Sequence, residues 1–205
     1  MKNSQKVGGI AALGHTAALV VGMILSFSVM FPLLDAAPDQ TVRFLADHQA
    51  LVILWRLVVD GGSALTLVIV LLALYGRLQA GAPALVRAAV VFGLLWAGLT
   101  IGASGLMLHN FGIVANLRGS APAQAAAWTA LVRSLWVLLL SLAALRTGGL
   151  PRATGYLGVF LGSAGSLTMI PVLAEAMFMI FGPGMMVWSA WVGIVLLRST
   201  TGNTV

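Results

Sequence analysis

The stretch QALVILWRLVVDGGSALTLVIVLLALY, Gln49–Tyr75, decides the fold. A helix of about 20 apolar residues crosses the hydrocarbon of a bilayer, and this stretch is longer than that. It nevertheless carries Arg56 and Asp60. A charge in hydrocarbon is costly and persists when it is paired, hydrated or used. Residues four apart share a helix face, so the two can pair. At a rise of 1.5 Å per residue, Arg56 falls about 10 Å and Asp60 about 16 Å below the outer end of the helix. Ser63 continues that face. Gly61-Gly62 weakens the helix directly after Asp60, where it can bend or admit water.

The rest of the chain repeats the apolar theme. Hydrophobic residues make up 60% of it and charged residues 8%, against about 25% charged in a soluble domain. Further apolar stretches cover 7–34, 84–108 and 125–145, and a long one from Ala153 to Leu197 must fold back on itself. Its turn has three readings: Pro171 opens the last helix, Gly182-Pro183-Gly184 is the turn, or the chain reverses near Glu175. The third sets the last spans at 153–174 and 176–197. The expected architecture is all-α, a single-domain bundle of six transmembrane helices. The basic Met1–Lys6 segment precedes an apolar run much longer than the roughly 7–15 residues of a signal peptide, so that run reads as a retained helix.

Loop charges orient the bundle. With the N-terminus inside, Lys2, Lys6, Arg77, Arg87, Arg146, Arg152 and Arg198 are cytoplasmic, and only Arg43 and Arg118 lie outside. The positive-inside rule then places both termini in the cytoplasm. The inner turns are short and rich in glycine and proline. The outer connections, 35–47 and 110–121, are longer and read as short interfacial helices. The net charge of +6 does not indicate nucleic acid, because basic residues flank apolar segments and form no patch with aromatics. The absence of cysteine excludes disulfides, thiolate metal sites and thioether-linked haem.

Function is expected where charge enters the membrane. Arg133 lies inside the fourth span at a depth similar to Arg56, so two arginines face one aspartate. Either Glu175, turning inward, or a bound anion can restore balance. The leading reading is an outward-facing polar pocket for a small anionic or amphiphilic ligand. Arg56 and Arg133 hold the anion, Asp60 orients Arg56, Trp136 lines the cavity, and His109 and Glu175 sit at its mouth. One alternative is an intramembrane enzyme acting on a lipid-like substrate, with Asp60 or His109 as general acid or base. Another is a non-catalytic partner subunit in which the charges lock the fold.

Other motifs weigh less. His48 and His109 share an outer depth, and a metal ion or b-type haem between them is the minority reading; no cofactor is expected. His15 reads as a hydrogen-bonded core histidine. Gly102-Ala103-Ser104-Gly105 is similar to the GxSG motif of rhomboid proteases, whose serine opens a descending helix and takes a histidine from a later span. Here Ser104 comes late in its helix and no histidine follows position 109, so the match fails and Ser104 reads as packing. Gly98-xxx-Gly102 and Gly158-xxx-Gly162 read as close helix packing within the chain, with a homodimer interface as the alternative use.

The second half carries Leu135-Trp136-Val137-Leu138-Leu139-Leu140, Leu150-Pro151-Arg152, Gly155-Tyr156-Leu157-Gly158 and the ending Trp191-Val192-Gly193-Ile194-Val195-Leu196-Leu197-Arg198. This pattern resembles a broad family of small six-helix bacterial membrane proteins of unknown function. Phe31-Pro32 and Phe44-Leu45-Ala46 extend the likeness loosely into the first half. The resemblance implies the fold and the bacterial inner membrane, and no activity.

Overall fold

Every long apolar stretch forms a helix, because backbone polar groups in hydrocarbon must find their partners within the segment. The computed structural model describes residues 2–30, 36, 40, 43–44, 47–109 and 120–201, with side chains in the three large blocks covering 3–28, 47–105 and 128–199. Among the described residues six long helices follow in order: α1 Lys2–Met30, α2 Gln49–Leu78, α3 Pro83–His109, α4 Ser120–Thr147, α5 Arg152–Leu167 and α6 Pro171–Thr201. No strand occurs among the described residues. Helices consecutive in sequence pack side by side, and α6 returns against α1, so the six form a closed ring.

The core fills the ring. Leu67, Leu71 and Leu74 of α2 meet Val86 and Trp96 of α3, Trp136 and Leu140 of α4, Leu161 of α5, and Phe181, Met185 and Trp188 of α6. The outer face is also apolar, with Ile24, Leu65, Leu72, Phe160 and Phe178 exposed. Water does not favour that surface, whereas lipid does.

Among the described residues five helices are long and apolar enough to cross a membrane: α1, α2, α3, α4 and α6. The helix α5 has 16 residues, about 24 Å of rise, and falls short of a full span. Its length follows from where the chain turns. The reversal lies at 168–170 and Pro171 opens α6, as suits a residue with no N–H to offer in a first turn. The boundary between spans expected at 174/176 is therefore corrected, for Glu175 lies within the second turn of α6. Pro183 lies inside α6 and the helix continues through it. Of the α6 methionines, Met185 lies in the core and Met179 is exposed.

Glycines seat α5 between its neighbours. A Cβ on Gly162 would come within 2.8 Å of the Leu138 backbone, and one on Gly165 within 2.7 Å of Ser134 Cβ. Gly158 is crowded by Ser141 and Trp188. The Gly158-xxx-Gly162 spacing thus serves contacts within the chain. Gly98 and Gly102 do not: both are exposed, with nothing within 4 Å of an added Cβ. The intrachain packing expected of that pair is corrected, because the face of α3 that carries it points out of the ring.

At the end that holds the first residues of α1, the turns are tight. Gly148 takes φ +65°, a conformation side chains resist. Arg77 closes this end, with Nε donating to Gly149 O at 2.6 Å and Nη1 to Ser199 Oγ at 2.9 Å and Gln5 Oε1 at 3.4 Å. At the opposite end, most of 35–47 and all of 110–119 lie outside the described residues, and with them the two expected interfacial helices.

Candidate functional site

Asp60 sits in a π-helical turn, Leu57–Gly62, set into α2. Such a turn accommodates one extra residue and often marks a functional position; here it falls on the Gly61-Gly62 pair that weakens the helix. Arg56 Nη1 donates to Asp60 Oδ2 at 2.9 Å, and the guanidinium lies 4.5 Å from the Trp55 ring. Ser104 Oγ of α3 donates to the same carboxylate oxygen. The expected Arg56–Asp60 pairing is present, and Asp60 is buried. Ser104 is a hydrogen-bond partner of Asp60 where the sequence suggested only packing.

The antiparallel register of α2 and α3 sets Asp60 against Ser104 and Leu71 against Gly93. One turn inward from the Asp60–Ser104 contact come Ser63 and Thr100. Their hydroxyl oxygens are buried and have no hydrogen-bond partner among the described residues. His15 of α1 lies at this level, with Nδ1 3.2 Å from Ser63 O and 3.1 Å from Thr66 Oγ1. A carbonyl only accepts, so Nδ1 carries the proton. Thr66 in turn donates to Gly62 O at 2.7 Å. His15 is the hydrogen-bonded core residue expected, yet it also stands within electrostatic reach of Arg133.

Arg133 projects from α4 one turn before Trp136. Its guanidinium carbon is 4.9 Å from the centre of the Phe181 ring and 5.7 Å from that of Trp96. The side chain is half-buried. Among the described residues it makes no hydrogen bond or ion pair. Trp136 is 2% exposed and meets Trp188 edge-on at 5.7 Å. Trp188 donates to Thr154 O at 3.1 Å, whereas Trp136 Nε1 has no partner among the described residues. His15, Trp136, Trp188 and Ser189 line a cavity of about 10 Å³ beside this group, about the size of one water probe.

The charged residues expected to share one pocket therefore fall into two separate groups. Trp96 marks the depth of Arg133 and Ser104 that of Asp60; eight residues apart on α3, they are separated by about 12 Å along the axis. Glu175 is exposed and lies six residues before Phe181, about 9 Å further along α6. It makes no ion pair with Arg133, so the charge balance expected from it is corrected. The longer reach follows from the true position of the α5–α6 turn. The His109 side chain lies outside the described residues. His48 is exposed, stacked on Phe44 with centroids 4.2 Å apart, and its Nδ1 is 3.0 Å from Phe44 O. No group of three or more His, Asp or Glu residues gathers to hold a metal among the described residues.

Two members of this site were hard to read from the chain. Ser104 meets Asp60 across 44 positions and His15 meets Ser63 across 48, so only the packing of α1 and α3 against α2 brings them together. The one sequence signal was polarity itself, a histidine and a serine alone in apolar runs. No family model, curated protein or solved structure matches this chain.

Proposed function

We propose that this is a protein of the bacterial inner membrane, with both termini cytoplasmic, that binds a small anionic or amphiphilic ligand for sensing or transport. The observation that carries the reading is Arg133. Aromatic rings cover its guanidinium, and no described oxygen takes its N–H groups. An intramembrane cation that the fold leaves without an acceptor is best explained by one that arrives from outside the chain. Arg56 is committed to Asp60, so the anion centre rests on Arg133, with Trp96 and Trp136 beside it. The seven-to-two distribution of basic residues supports the orientation, and the family resemblance supports the compartment.

Native mass spectrometry of the protein purified in mild detergent tests this. The wild type is expected to retain a small molecule that Arg133→Ala loses, with the unfolding temperature of the variant unchanged. Equal retention by both proteins would overturn the reading.

A further inference from the structure

We infer that the Arg133 centre selects a monovalent carboxylate carried on an apolar body over a divalent phosphate. The inference rests on the reading above and deepens it by naming the ligand class. Arg56 and Arg133 lie deep inside the apolar stretches of the chain, whereas Arg87 sits in the first turns of α3. Arg56 is neutralised by Asp60 at 2.9 Å. Arg133 therefore offers one positive charge. A second negative charge on a ligand would remain unpaired among Trp96, Trp136 and Phe181, in a medium that solvates charge poorly.

Shape points the same way. The Phe181 and Trp96 rings lie against the guanidinium at 4.9 and 5.7 Å. A planar fork of N–H donors held by rings matches a carboxylate in two parallel hydrogen bonds. The rings that hold the fork also give an alkyl or aryl body an apolar bed. His15, within electrostatic reach of Arg133 from α1, already directs its Nδ1 at Ser63 O and Thr66 Oγ1. It adds no second fork for a tetrahedral headgroup.

Isothermal titration of the full chain in nanodiscs decides the point, with octanoate, octyl phosphate and octanol as probes. At about pH 8 a phosphate monoester is divalent. Octanoate is expected to bind about tenfold or more tightly than octyl phosphate. Arg133→Ala should lose octanoate, and Arg133→Lys, which keeps the charge without the fork, should weaken it. Octyl phosphate binding as tightly as octanoate, and lost in Arg133→Ala, would overturn the selectivity while leaving an anion site. No binding of either anion, or octanol binding as well as octanoate, would overturn both. Binding that persists unchanged in Arg133→Ala would do the same.

Discussion

Arg77 and Arg133 are the same side chain in opposite surroundings within one bundle. Arg77 directs its donors to Gly149 O, Ser199 Oγ and Gln5 Oε1, tying α2 to the α4–α5 turn, α6 and α1. Arg133 lies between aromatic rings and meets no oxygen among the described residues. A guanidinium whose donors are satisfied within the fold is a fastener. One whose donors meet no acceptor among the described residues is, on the proposed reading, a binding group. On that reading, hydrogen-bond saturation separates a structural arginine from a binding one.

The largest expected effect breaks the comparison at Arg133. Its replacement by alanine should weaken anion binding by about 100-fold, the loss of one charge-assisted bidentate contact of about 3 kcal/mol. Titration calorimetry reads the affinity and a thermal melt in detergent reads stability, which should hold. A fall in stability with unchanged affinity would make Arg133 a second fastener.

Asp60→Asn comes next. It leaves Arg56 without its counter-charge while keeping an acceptor for Ser104. With Arg56 partly exposed, a loss of about 2 kcal/mol is expected, less than for a fully buried pair. The double variant Arg56→Gln with Asp60→Asn should recover part of it, seen as a rise in melting temperature over the single variant. A double variant no better than the single would deny that the pair acts as a unit.

Arg77→Ala should cost about 1–2 kcal/mol and leave anion affinity untouched, since its bonds are partly solvated and far from Trp96. Loss of binding in this variant would collapse the distinction between the two arginines. The smallest effect sharpens the same logic with glycines. Gly98→Ala should stabilise by about 0.5–1 kcal/mol, because the position is open and alanine suits a helix interior. Gly162→Ala should destabilise, its Cβ meeting the Leu138 backbone. A destabilised Gly98→Ala, measured by the same melt, would mean that the α3 face is covered.

Legibility followed the range of the interaction. Helices α1 to α4 and the Arg56–Asp60 pair were readable because apolar length and four-residue spacing are local. The position of the α5–α6 turn was not. Pro171, Gly182-Pro183-Gly184 and Glu175 each offered a plausible break, and the choice depends on Gly158, Gly162 and Gly165 seating α5 against Leu138, Ser141 and Phe181. Glu175 looked like a partner for Arg133 only while the turn was placed beside it. The Gly98 and Gly158 spacings looked alike in sequence. One faces outward and the other inward, and nothing in either motif records the direction its helix turns.

The amino-acid sequence by itself determined an all-helical chain, apolar enough to cross a membrane, and the Arg56–Asp60 pairing. Both follow from apolar length and from the helix period, which neighbours in space do not alter. Tertiary structure decided which charges are answered. Ser104 reached Asp60, and His15 reached Ser63 near Arg133, while no described acid reached Arg133 itself. Those outcomes depend on the rotation of each helix about its axis, and that rotation is set by close packing of all six helices together.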